Sequence, residues 1–199
     1  MNPKPKAKVL DCTSANRMFW IKKDSDKVLW TDIEADLETS PDMVVDVRKT
    51  DFEDGQFNTI IYDPPHWWGD KPQNNYYSNK NEEDTRVFIE KYNMKYRGVC
   101  YYGTDKYATK KSLLGSINAS QKEIFRILDD GGVLWFNWSE VKITLEKILP
   151  FFDQRWDVMI KLQIGSKKQS LSKHQNWWVM LMKKDLSINT KQKRIKPIR

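Results

Sequence analysis

Apolar runs of strand length punctuate the chain at residues 7–10, 28–30, 43–47, 57–62, 133–138, 156–164 and 177–182. Several are nearly continuous rather than alternating, the pattern of strands buried on both faces of a sheet. Between them the spacing of apolar positions predicts helices at residues 16–22, 111–128 and 140–152. The middle helix is the clearest, because Leu113, Leu114, Ile117, Ile124, Phe125 and Leu128 follow the helical repeat and Asp129-Asp130-Gly131-Gly132 supplies a stop. Strands alternating with helices predict an α/β sandwich with a mostly parallel sheet. The last two runs, joined by a turn, predict an antiparallel hairpin at its edge.

Between Trp67 and Lys110 about forty residues carry no clear period but hold Tyr76, Tyr77, Tyr92, Tyr96, Tyr101, Tyr102 and Tyr107. A loop that long in a compact domain is usually functional, and residues 67–110 are read as a substrate lid or insertion whose Asn and Lys contact bases and phosphates. The 199 residues otherwise show no shift in composition, and nine Trp, eight Tyr and eight Phe supply large burial per residue. One domain is expected over residues 1–184, followed by a flexible basic tail at 185–199.

Composition narrows the function classes. Cys12 and Cys100 form no Cys-x-x-Cys pair and have only two histidines to partner them, so no metal site is expected. No stretch approaches the ~20 apolar residues of a membrane span, and the Met-Asn-Pro-Lys-Pro-Lys start lacks a signal-peptide core. A cytoplasmic location away from the membrane is expected. The net charge is +7, but residues 183–199 hold seven Lys or Arg against one Asp, and Lys4, Lys6 and Lys8 add to the excess. The body is therefore slightly acidic, with ends that attract polyanions in a salt-dependent way. Residues 24–54 carry eleven Asp or Glu against three basic residues, which suits a ligand bearing positive charge.

Ligands of open α/β sheets sit outside the carboxyl ends of the strands. Asp11, Asp32, Asp46 and Asp63 close the first four predicted strands, which places four carboxylates along one rim. The sharpest local signal follows the fourth strand, in Asp63-Pro64-Pro65-His66. Two prolines force a rigid extended turn and leave its carbonyls without proline N–H partners. An exocyclic NH2 fits there, donating one hydrogen to Asp63 and the other to the Pro64 carbonyl.

This turn resembles the Asp-Pro-Pro-Tyr motif of class I S-adenosylmethionine-dependent amino-methyltransferases that act on adenine N6 or cytosine N4. More narrowly, Leu10-Asp11-Cys12-Thr13, Arg17-Met18-Phe19-Trp20, Asp46-Val47-Arg48 and Asp63-Pro64-Pro65-His66 resemble small phage- and prophage-type DNA methyltransferases. The resemblance implies a seven-stranded Rossmann-like fold, S-adenosylmethionine as cofactor, and catalysis by Asp63, Pro64, Pro65 and His66. Asp11, Cys12, Thr13 and Asn16 would meet the amino-acid part of the cofactor, Asp32 and Ile33 the ribose, and Asp46, Val47 and Arg48 the adenine. Two features depart from the family pattern. The Asp11–Asn16 loop has no glycine for close backbone approach, and His66 replaces the usual Tyr or Phe.

The leading reading is methyl transfer to a base amino group, on DNA ahead of RNA, with protein glutamine a smaller alternative. A duplex base would have to leave the stack to reach Asp63. Target choice would rest on residues 67–110, the basic stretch 161–173, the tail, and a specificity partner or homodimer. The competing class is a catalytically inactive module that keeps the fold and binds nucleic acid or a partner. A dinucleotide-dependent oxidoreductase is disfavoured, because no Gly-x-Gly-x-x-Gly follows the first strand.

Overall fold

The computed structural model describes residues 7–66, 68, 109–140, 142–164 and 175–184. The expected lid, apart from Trp68, Thr109 and Lys110, lies outside them, as do Cys100, residues 165–173 of the basic stretch and the 185–199 tail.

Seven strands form one mixed sheet: β1 (Val9–Asp11), β2 (Val28–Asp32), β3 (Met43–Val44), β4 (Phe57–Tyr62), β5 (Leu128–Ser139), β6 (Trp156–Ile164) and β7 (Asn176–Lys183). Their order is β3-β2-β1-β4-β5-β7-β6. The first five are parallel neighbours, whereas β7 runs antiparallel between β5 and β6. The chain thus has a Rossmann-like fold with an antiparallel carboxyl-terminal pair, as expected. The connection that reverses the order beside β1 leaves the carboxyl ends of β1, β2 and β4 together, where such sheets bind ligands.

Helix α1 (Lys110–Ile127) forms where the apolar repeat placed it. Thr109 caps it, with its hydroxyl accepting from the Ser112 N–H, and Leu113, Ile117, Ile124 and Phe125 are buried. They join Leu10, Phe57, Ile60, Leu134, Phe136, Val179 and Leu181 in the core. Gln121 is fully buried in the same helix, and its Oε1 accepts from Trp156 Nε1 at 2.8 Å. Among the described residues no helix is long and apolar enough to cross a membrane.

Four expectations about the elements need correction. Residues 16–22 form turns, because Ala15 and Arg17 adopt φ of 41° and 54°, which a right-handed helix cannot accommodate. The 140–152 helix shrinks to α2 (Leu145–Ile148) and a 3-10 turn (Leu149–Phe151) containing Pro150. The preceding segment is held away from helical geometry by Trp138 Nε1 donating to the Ile143 carbonyl at 2.9 Å. Helix α1 ends just before Asp129–Gly132 as expected, but the strand expected at residues 133–138 starts earlier. Strand β5 begins at Leu128, and its register against β4 shifts between Phe57 and Thr59, so these residues form an irregularity inside the strand. Finally, the apolar run of β6 is not buried on both faces, since the strand lies at the sheet edge where the hairpin was expected. Only Trp156 is buried, and Val158, Met159, Ile160, Leu162 and Ile164 are 41–53% exposed.

Candidate active site

Asp11 and Asp32 are the last residues of β1 and β2, and Asp63 follows β4 directly. Because these strands are parallel neighbours, the three carboxylates gather at one edge. Asp46 does not share this position. Strand β3 stops at Val44, two residues earlier, and the Asp46 carboxylate is taken by Arg48, whose Nε approaches it at 2.8 and 3.0 Å. Val47 packs partly buried against the core, and the Ile33 side chain is 41% exposed. The trio expected to face adenine is therefore an ion pair flanking one apolar residue.

Asp11 is buried, and each carboxylate oxygen has a donor: the Thr13 N–H at 3.2 Å and Trp20 Nε1 at 2.7 Å. Burial raises its pKa and these bonds oppose the rise, leaving it at about 6. Asp63 is buried too, but among the described residues its Oδ1 has no hydrogen-bond partner. Burial first, and the neighbouring Asp11 charge second, push its pKa up to about 8. An unpartnered buried carboxyl oxygen is costly, so this atom marks where a donor is missing. The backbone N–H of Asp63 donates to Thr13 Oγ1 at 2.7 Å. Cys12 lies close enough to Asp11, Asp32 and Asp63 to feel their charges. Its N–H and thiol both donate to the Ile61 carbonyl, at 3.1 and 3.0 Å, and burial holds the thiol well above its ordinary pKa. It is a structural thiol, not a nucleophile.

The glycine-free loop reaches its geometry by other means. Ala15 and Arg17 take left-handed backbone conformations, each costing roughly 1–2 kcal/mol for a residue with a Cβ. Several bonds hold them there. Ala15 N–H donates to Asp32 Oδ2 at 2.9 Å, Ser14 N–H to the Thr31 carbonyl at 3.0 Å, and Thr39 N–H to Asn16 Oδ1 at 3.2 Å. The Arg17 guanidinium sits 3.9 Å from the Trp30 ring centroid and donates to the Ser40 carbonyl. Phe19 meets Trp178 edge-on at 4.9 Å, which ties the loop to β7. Trp20, bonded to Asp11, was quoted from the sequence only as part of the resemblance and was given no role at the site. The available signal was that a tryptophan near a buried site needs an acceptor for its N–H.

Beyond Asp63, Pro64 is buried while Pro65 and His66 are half-buried. The His66 ring faces Trp138 edge-on at 6.1 Å. Lys142 donates to the Trp68 carbonyl at 2.7 Å and lies 4.6 Å from its ring centroid. The described residues contain no cluster of His, Cys, Asp and Glu that would hold a metal. A cleft of about 500 Å³ lies elsewhere, lined by Asp54, Lys122, Phe125, Arg126, Arg155 and Lys183 among others. Most of its cations are already paired, Arg126 with Glu123 and Asp54, Arg155 with Asp153, and Lys183 with Asp130. It makes no comparable demand for a ligand.

The sheet order defines a Rossmann-like α/β fold with three carboxylates along its carboxyl edge. Solved structures of the same architecture exist. The PH0226 protein from Pyrococcus horikoshii OT3 superposes with a TM-score of 0.52 at 10% identity, over 92% of this chain and 84% of that one. The N-methyltransferase NodS from Bradyrhizobium japonicum WM9 gives 0.48 at 10% identity, over 88% and 84%. A SAM-dependent methyltransferase from Methanosarcina mazei gives 0.48 at 12% identity, over 88% and 91%. The first of these shows the fold and says nothing of activity. No protein-family model and no curated protein matches the sequence.

Proposed function

We propose that the chain is an S-adenosylmethionine-dependent methyltransferase acting on the exocyclic amino group of a nucleic-acid base, adenine N6 or cytosine N4, with DNA favoured over RNA. The observation that carries this reading is Asp63 Oδ1: a buried carboxyl oxygen without a donor among the described residues, at a Pro-Pro turn, on the carboxyl edge of a Rossmann-like sheet. The residues around it fit the cofactor. Asp11 and Asp32 have lone pairs beyond those already used, suited to an ammonium and to ribose hydroxyls. The left-handed residues Ala15 and Arg17 supply the sharp turn that glycine supplies elsewhere.

When bound, the cofactor supplies an electrophilic sulfonium methyl. Asp63 accepts one hydrogen of the acceptor NH2 and the Pro64 carbonyl accepts the other, which turns the nitrogen lone pair toward the methyl carbon. Asp63 Oδ1 would take the proton that the nitrogen loses on accepting the methyl group the cofactor would supply. Orientation and stabilisation of the developing charge supply the acceleration. Asp63 must be ionised to act, and its pKa of about 8 means that the free protein holds a proton there at neutral pH. A cation bound beside Asp11 favours its release.

A second reading, a non-catalytic nucleic-acid or partner-binding module, is favoured by one feature: both oxygens of Asp11 are already engaged, one by the Trp20 indole. Calorimetric titration with S-adenosylmethionine, followed by tritiated methyl transfer to DNA, RNA and protein pools, separates the two. Binding with label on a nucleic acid is expected. Asp63→Ala should then abolish transfer, by about 100-fold or more, while leaving cofactor affinity within a few-fold. Equal loss of both would sink the assignment of Asp63 to the acceptor. No binding at millimolar cofactor would favour the inactive module.

A further inference from the structure

We infer that the Thr13 hydroxyl is the positioning group that holds the Asp63–Pro65 turn in register with Asp11, an inference that rests on the amino-methyltransferase reading for its kinetic consequence alone. Pro64 and Pro65 have no N–H, so the Asp63 N–H is the last backbone donor before His66. Whatever accepts it fixes where the turn departs from β4. Strand β1 cannot provide a backbone acceptor there. Its ladder with β4 ends as the Cys12 N–H bonds the Ile61 carbonyl, and residues 12 and 13 already turn away. The Thr13 side chain takes over that place, with Oγ1 accepting the Asp63 N–H at 2.7 Å.

The backbone of the same residue serves the other carboxylate, since the Thr13 N–H donates to Asp11 Oδ1 at 3.2 Å. One residue therefore bonds both halves of the candidate site, through chemically separate groups. Substitution of the side chain removes the tie to the turn and spares the bond to Asp11. Without the hydroxyl, a buried N–H loses its acceptor, and the turn moves to find another. Displacement of about 1 Å in a reacting group costs on the order of 100-fold in rate.

The test compares Thr13→Val, which keeps the shape and loses the acceptor, with Thr13→Ser, which keeps the acceptor, and with Thr13→Ala should the valine variant not fold. Two measurements are made on each soluble protein: amide hydrogen exchange at Asp63, followed by NMR, and the kcat for tritiated methyl transfer at saturating cofactor and nucleic acid, with calorimetric cofactor affinity alongside. The expected result is Asp63 exchange faster by at least about 10-fold in the valine or alanine variant. Their kcat should fall about 10- to 100-fold with cofactor affinity within about 3-fold, and serine should restore both. Unchanged Asp63 exchange without the hydroxyl, failure of serine to rescue, or loss of affinity as large as the loss of kcat would each overturn the inference. If the wild-type chain transfers no methyl group, the amino-methyltransferase reading fails, while exchange at Asp63 still decides whether Thr13 holds the turn.

Discussion

At Asp63 stability and proposed function pull in opposite directions. Its carboxyl has a pKa of about 8 in the folded chain against an ordinary 3.8. Between those values the folded state keeps a proton that the unfolded state has released, so stability falls as pH rises through this window and levels off above about 8. Asp63→Asn removes the titration. Its melting temperature relative to wild type should therefore rise steadily from pH 5 to pH 8.5, read by thermal unfolding in matched buffers. A gap that stays constant or narrows would mean that the carboxyl is solvated. This atom was legible in the sequence as the end of an apolar strand against two prolines, and so were Asp11 and Asp32 as strand ends. The Trp20 bond to Asp11 was not legible, because it depends on a left-handed turn at Arg17 that no helical or strand period announces. Nor was the self-pairing of Asp46 with Arg48, since a carboxylate two residues from an arginine reads equally well as a ligand contact.

Between elements, the passage from α1 to β5 makes a demand that the sequence showed only as a breaker. Asp129–Gly132 was expected to mark the end of the helix, which does end just before it, but the chain passes straight into a strand there and Gly132 is needed for closeness. A Cβ there would lie 2.7 Å from Leu128 Cγ and 2.8 Å from the Asp129 carbonyl oxygen, and the latter is backbone that cannot swing aside. Gly132→Ala should destabilise by about 1–3 kcal/mol. Gly115, in the interior of α1 with open space around its Cβ position, is the counterpart. Gly115→Ala should stabilise by about 0.5–1 kcal/mol. Urea titration of both variants checks the pair, and a neutral Gly132→Ala would show that the strand entry is looser than described. The helix itself, strands β4 and β6, and the antiparallel pair were legible because their patterns are long. The 140–152 helix was not, because a side-chain bond from Trp138 outweighs local periodicity there. The edge position of the last pair was legible from its turn connection, whereas the apolar run of β6 did not announce how exposed its side chains are.

Across the whole molecule, the topology concentrates carboxylates at one edge of the sheet while the described residues place the best-satisfied ion pairs elsewhere, as in the Arg126 network that holds Glu123 at a pKa of about 2. Two of the three acids of the candidate site are poised near neutrality, Asp11 at about 6 and Asp63 at about 8. A ligand that brings an ammonium and a sulfonium to this edge favours the ionised form of both, so binding is linked to proton release. At pH 7 the free protein holds most of a proton on Asp63 and little on Asp11, and binding should release up to about one proton per cofactor. Calorimetric titration in phosphate and in Tris, whose ionisation enthalpies differ widely, reads that number directly from the difference in apparent enthalpy. Release should fall at pH 7 in Asp63→Asn to what Asp11 alone provides. S-adenosylhomocysteine keeps the ammonium and lacks the sulfonium charge, so it should release fewer protons than S-adenosylmethionine. Tight binding at pH 7 with no proton exchanged would place the cofactor away from these carboxylates, and the acidic edge would then need another explanation.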